Sequence, residues 1–383
     1  MRTFIKAAKF FYAADTKEAG YLEIVDGKFG RYFKELPVDE ANVIDYSDKW
    51  IAPGLVDTHI HGYGGADVMD NDWEAVITTM SEGLLSCGVT SFLPTTLTAE
   101  HDLLTEVARG IGEHYKEAKG AKIQGIYFEG PYFTEEYKGA QNPAYMGAPD
   151  LAEFRKWQDA SGGLIKKIAL APERPGVEDF VRTITNEGVV VALGHSNATL
   201  EEATKAVDAG ASVWVHAYNG MRGLTHREPG MVGSVLSLKN TYPEVICDGH
   251  HVHPTAIEIL MDKAGRDYVA MITDCMRAGG MPEGEYMLGE FTATVKDGTA
   301  RLDSGALAGS ILRLKEGLKN VVQWNLATPE EAIRMAAYNP AVSCKIDDKC
   351  GQIKEGREAD FIVLDEKMNL VATFLDGDKR YEA

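Results

Sequence analysis

The sequence predicts an α/β chain: a (β/α)8 TIM-like barrel with a small β-sandwich domain built from both termini. Three observations carry that expectation. Between residues 57 and 274, eight short β-rich runs alternate with segments of helical periodicity, the mark of a parallel sheet with crossover helices. No Gly-rich G-x-G-x-x-G turn follows the first run, which argues against an open doubly wound dinucleotide fold and for a closed barrel. Both ends of the chain are β-rich and carry the hairpin pairs Asp26-Gly27 and Asp376-Gly377.

In chain order, "YLEIVDGKFGRYF" opens the terminal β segment. The barrel runs follow: "LVDTHIH", "VTSFLPT", "IQGIYFEG", "IKKIALAPE", "VVVALGHS", "SVWVHAYNG", "EVICDGHH" and "YVAMITD". Between them lie segments such as "NDWEAVITTMSEGLLSCG" and "LEEATKAVDAG", which end on glycine stops. Asp297-Gly298 in "FTATVKDGTARL" predicts a hairpin after the eighth run. "GSILRLKEGLKNVVQW" and "TPEEAIRMAAYNPA" read as helices, the second opened by a Thr cap with Pro at its first position. "FIVLDEKMNLVATFLDGDKRY" closes the chain as β structure. The expected division is residues 1–53 and 346–383 for the small β domain and residues 54–345 for the barrel.

The 383 residues, 45% of them apolar, are ample for a large core. A formal net charge of −19 repels phosphate backbones over the whole surface, so nucleic acid and anionic membranes are poor partners, and any phosphate site must be built locally. Five cysteines (Cys87, Cys247, Cys275, Cys344 and Cys350) form no C-x-x-C pair, which suits reduced thiols rather than a disulfide framework. No signal peptide is legible at the N-terminus, and no run approaches the roughly 18 apolar residues of a membrane span. The expectation is a soluble cytoplasmic protein.

Chemistry collects at the ends of the β runs. In "IAPGLVDTHIHGYGG", His59 and His61 are two apart, so a strand would aim both imidazoles at one point. That is either a chelating pair or two polar residues at a strand end. Run three ends in Glu129, run five in His195, run six in His216, run seven in His250 and His251, and run eight in Asp274. Each alone reads as a cap or a satisfied polar group. Closing the barrel brings them around one mouth, where imidazoles and carboxylates need a cation, zinc or another first-row divalent metal, to organise them. Asp274 then suits a proton carrier between a metal-activated water and a leaving nitrogen, the chemistry of amide hydrolysis.

The motifs "PGLVDTHIHG", "GIYFEGPYF", "KGAQNP", "LGHS", "HAYNGM", "THREPG", "DGHHVHP", "TDCM" and "LAGS" occur in that order. Together they resemble the amidohydrolase superfamily and, within it, the N-acetylglucosamine-6-phosphate deacetylase family, over nearly the whole chain. The resemblance implies that Glu129, His195 and His216 hold the principal metal and that Asp274 is the catalytic acid and base. It implies that His59 and His61 serve a second ion bridged by Glu129, giving one or two divalent ions per subunit. Zinc is the first expectation, with iron, manganese, cobalt or nickel as alternatives. It further places Asn219, the backbone of Gly220, and His251 at a sugar phosphate, and Arg227 across a homodimer interface in the neighbouring site. Arginine's planar fork suits phosphate, although beside Glu228 it also reads as a solvated loop charge. His250 and His253 are expected to be structural. Leu307 and Ala308 of "LAGS" match residues that close over the substrate. Gln141 departs from the pattern, standing where many relatives have a histidine near the acetamide. It can donate a hydrogen bond but carries no proton.

The implied reaction is hydrolysis of N-acetylglucosamine 6-phosphate to glucosamine 6-phosphate and acetate, in amino-sugar catabolism. The galactosamine epimer is the nearest rival substrate. Superfamily members that bridge two metals through a modified lysine on the fourth strand fit less well, because "KKIALAPE" ends in Ala and Pro. A barrel turned scaffold or binding protein would have lost ligands, and none is missing here.

Overall fold

A computed structural model describes residues 2–37 and 42–383. Eight parallel strands run in sequence order around a barrel: Leu55–Ile60, Val89–Thr96, Ile126–Tyr132, Ile165–Leu170, Val190–Leu193, Val213–Trp214, Tyr242–Ile246 and Ala270–Ile272. The seam between the eighth strand and the first is closed by a parallel bridge from Ile60 to Cys275. The His61 N–H donates to the Cys275 carbonyl at 2.8 Å, and the Asp274 N–H to that of His59 at 2.9 Å. The strands are covered on both faces, which is why "VVAL" and "LVDTHI" are buried along their whole length. Helices close the outside through apolar stripes. Val177–Asn186, for example, buries Val177, Phe180, Val181 and Ile184, spaced as one helical face requires.

All eight expected strands are present, and so are the punctuating turns. Asp26-Gly27, Asp297-Gly298 and Asp376-Gly377 all have positive φ at both residues, the mirror-image turn that matches strand twist. Thr328 caps the helix Pro329–Ala336 in a reciprocal capping box with Glu331. The hairpin after the eighth strand is a three-stranded antiparallel sheet, Gly284–Leu288, Phe291–Lys296 and Thr299–Leu302. It brings Leu288 over the barrel mouth.

Both termini join in one hydrogen-bonded sheet. Its path runs Asp378–Glu382, Leu370–Leu375, Phe361–Leu364, Asn42–Pro53, Arg2–Phe11, Gly20–Val25 and Lys28–Phe33. Ile5, Phe10, Leu22, Ile51, Phe361 and Phe374 form a core of its own, separate from that of the barrel. Among the described residues no helix is long and apolar enough to cross a membrane.

A candidate metal centre at the barrel mouth

The strand-end side chains converge. Glu129, midway along the third strand, is the hub. Its Oε1 lies 3.2 Å from the Nε2 atoms of both His195 and His216 and 3.4 Å from that of His59. Its Oε2 lies 3.3 Å from His61 Nε2. Asp274 Oδ1 sits 3.0 Å from His61 Nε2 and 3.4 Å from His59 Nε2. The six fall into two triads, Glu129–His195–His216 and His59–His61–Asp274, with the ligand atoms of each triad within 4.8 Å of one another. All six are buried, Asp274 the most accessible at 9%.

The backs of the rings decide what the fronts can do. Nδ1 of His195 faces the Tyr137 carbonyl at 2.9 Å, that of His216 the Asn219 carbonyl at 3.1 Å, and that of His61 the Thr95 carbonyl at 3.1 Å. His59 Nδ1 faces Glu244 Oε2 at 3.1 Å. Each of these partners only accepts, so each Nδ1 carries the proton and each Nε2 turns a lone pair inward. The His195 and His216 Nε2 atoms stand 3.0 Å apart, and His59 Nε2 has no hydrogen-bond partner. Lone pairs and carboxylate oxygens crowded in this way repel unless positive charge lies among them. The donor set of each triad therefore fits a divalent cation.

Local backbone geometry aims these groups. His195, His216 and Asp274 have φ of 46°, 25° and 51°, a region that side chains other than glycine rarely occupy and that concentrates at functional sites. Gly220 is held to glycine by the centre itself, since a Cβ there would come within 2.9 Å of His195 Nδ1.

In the cation-free protein, protons take the cation's place. Burial pushes the His59 and His61 pKa values down, but the Glu129 and Asp274 carboxylates outweigh it and raise them to about 9 and about 10. Burial pushes Glu129 and Asp274 up. The His59 charge, with hydrogen bonds from the surrounding imidazoles, pulls Glu129 well below the usual carboxylate range and lowers Asp274 as well.

A cavity of about 240 Å³ opens over the centre. Its walls include Gln141, Asn219, Gly220, His251 and Leu307 of the sequence-predicted set, together with Leu97, Ala140 and Leu288. His251 is oriented by Asp248, whose Oδ2 lies 2.6 Å from its Nδ1. Gln141 donates from Nε2 to Glu129 Oε2 at 2.6 Å and accepts the Thr98 N–H at 2.7 Å, so it braces the hub carboxylate. Ala308 is buried, with its N–H on the Ala300 carbonyl, and is not one of the wall residues. Arg227 is exposed and stands outside its own chain's cavity. His253 accepts the Thr255 N–H at the start of the helix Pro254–Ala264, a structural role. A larger cleft of about 680 Å³ lies against the terminal sheet among Lys28, Lys122 and Arg380, away from these groups.

Two side chains below the centre went unread in the sequence. Glu244, on the seventh strand, accepts from His59, and Lys167, on the fourth, donates to Glu244 and, at 2.8 Å, to the Thr58 carbonyl. Both are fully buried. The available signal was a charged residue leading into each of the apolar runs "VIC" and "IAL". The fourth-strand lysine thus points beneath the site into an ion pair.

Comparison with known proteins agrees with this geometry. A model of the Amidohydrolase family matches residues 50–380. The N-acetylglucosamine-6-phosphate deacetylase of Vibrio furnissii is 40% identical over 87% of this chain and 83% of its own. The N-acetylgalactosamine-6-phosphate deacetylase of Escherichia coli O157:H7 is 38% identical over 93% of both chains. A mutant N-acetyl-D-glucosamine-6-phosphate deacetylase from Mycobacterium smegmatis, solved in complex with N-acetyl-D-glucosamine-6-phosphate, superposes with a TM-score of 0.93. It is 28% identical, with 99% of both chains covered.

The raised histidines make the chelator-stripped protein pH-sensitive. Their ordinary value is 6.5, so the stability they add is fully present below that pH and is lost as pH rises through about 9 and about 10. Urea midpoints measured from pH 6 upward should fall over this window for the stripped protein and stay flatter for the cation-loaded one. Parallel profiles would contradict the proton-for-cation exchange.

Proposed function

The chain belongs to the amidohydrolase family, and from that premise we propose that it hydrolyses the acetamide of N-acetylglucosamine 6-phosphate to glucosamine 6-phosphate and acetate. The observation that carries the reading is the convergence of four bare Nε2 atoms on Glu129 with Asp274 beside them. It is supported by relatives named as deacetylases of phosphorylated N-acetylhexosamines across nearly the whole chain.

A divalent cation held by Glu129, His195 and His216, and a second by His59, His61 and Asp274, would supply Lewis acidity to the scissile carbonyl and activate water. We read zinc as the occupant. The remaining steps fall to the chain. Asp274 is buried and faces the cavity beside His59 and His61. It takes the proton of that water and delivers it to the departing amine nitrogen, so one group serves as base and then acid. Gln141 keeps the Glu129 carboxylate in place throughout. His251, Asn219 and the Gly220 backbone line the same cavity and bind the 6-phosphate in this reading. Arg227, exposed on its own chain, is supplied by the neighbouring subunit of a homodimer. The scattered, pairless cysteines favour a cytoplasmic setting.

A second reading, the galactosamine epimer, is kept open by the 38% identity to a relative named for that sugar. Acetate release from both 6-phosphates and from unphosphorylated N-acetylglucosamine separates these readings. The glucosamine 6-phosphate derivative should lead, and equal rates with and without phosphate would discredit the phosphate site.

Asp274→Asn should lower kcat by about 10²–10⁴-fold, the usual contribution of a positioned proton carrier, with KM little changed. Activity near wild type would refute the assignment. Arg227→Ala should raise KM for the phosphorylated sugar. Because the two lesions then lie in different subunits of each site, mixing the Arg227→Ala and Asp274→Asn proteins should regenerate about a quarter of the wild-type sites by random pairing of protomers. A mixture no more active than its components would place Arg227 outside the neighbouring site.

A further inference from the structure

Beneath the centre lies a charged pair that stability does not explain. Lys167 and Glu244 are both fully buried, on the fourth and seventh strands. Taking two charges out of water costs more than their attraction commonly returns, and apolar replacements of such pairs are often neutral or stabilising. The pair is instead wired to one ligand. Glu244 gives one oxygen to Lys167 and the other to His59 Nδ1. Lys167 also donates to the carbonyl of Thr58, next to His59 in the chain, and rides 3.6 Å above the Tyr127 ring. The Tyr127 ring in turn meets the His59 imidazole edge to face at 4.9 Å between centroids. Two sides of the His59 ring are thereby fixed. The other three imidazoles of the centre lean on neutral backbone carbonyls, and His59 alone leans on a carboxylate.

We propose that Glu244 and Lys167 are positioning residues for the cation held by His59, His61 and Asp274: Glu244 fixes the tautomer and direction of His59, and Lys167 fixes and charge-balances Glu244. The inference rests on the reading of this centre as a cation site. Carboxylate partners of ligating histidines typically contribute 10–100-fold to metal affinity. The Glu129–His195–His216 triad draws nothing from the pair, so the effect is confined to one of two ions.

The test is equilibrium dialysis and visible titration of the chelator-stripped full chain with Co²⁺, alongside thermal melts of the stripped proteins. The native chain should bind two ions, and His59→Asn identifies the one held by His59. Lys167→Met with Glu244→Leu removes the acceptor while keeping volume and net charge. It should weaken that ion 10–100-fold, leave the other unchanged, and melt no lower than native. Lys167→Met with Glu244→Gln keeps an amide oxygen opposite His59 Nδ1 and should restore affinity to within about threefold of native. A native chain that binds no Co²⁺ refutes the cation site itself. A native chain that binds only one ion, two double variants that bind like native, or two that lose the ion and melt early together would each overturn the positioning role and leave the site reading intact.

Discussion

The whole mouth of this barrel is organised by one electrostatic constraint: four imidazoles, each with its proton tied up behind it, present lone pairs to a single carboxylate. Apart from the Gln141 amide on Glu129 Oε2, nothing donates among these atoms, and the centre's only positive charge is what protonation or a cation brings. Burial makes the constraint severe, because the screening that would let such groups coexist in water is absent at His59, His61 and Glu129. The arrangement holds because the backs of the rings are anchored to rigid carbonyls and to Glu244, each in a different part of the sequence. The fold is the device that keeps these anchors in register.

Closing the barrel does most of that work. The bond from the Asp274 N–H to the His59 carbonyl crosses the seam between the last strand and the first, so the hydrogen bonding that completes the cylinder also sets Asp274 beside His59 and His61. The buried Asp57 carboxylate, its pKa pushed up to about 6 by burial, accepts from the Thr273 hydroxyl at 2.6 Å and stitches the same seam one layer down. Positive φ at His195, His216 and Asp274 turns each chain sharply as its strand ends, so the side chain swings over the mouth. Such strain persists only where surrounding structure overdetermines it, and here the anchors and the seam do so.

The alternating runs, the Asp-Gly turns and the Thr328 cap were legible because each is a local signal, decided within a few residues. The ligands were legible for a related reason: barrel topology makes the end of a strand a predictable place, so Glu129 and His216 could be assigned to one mouth before any coordinate was known. The supports were not. Whether Lys167 points to the metal, to solvent or beneath the site depends on strand tilt and on Glu244, 77 residues away in sequence, and periodicity carries no such information. The carbonyls of Thr95, Tyr137 and Asn219 were invisible for a simpler reason, since every residue has one and only tertiary geometry selects which are used.

Gln141 shows how a neutral amide can brace the hub carboxylate. Its orientation is fixed from both sides, the Thr98 N–H requiring the amide oxygen and Glu129 requiring the amide nitrogen. A histidine in this place could answer to pH; the amide donates at every pH. The donation occupies a lone pair of Glu129 Oε2 and leaves Oε1 facing His59, His195 and His216. Position 141 itself therefore carries no proton. What the frame does supply is position: the seam hydrogen bonds fix the Asp274 backbone between His59 and Ser310, so its side chain starts from a set point at the mouth, opposite the braced Glu129.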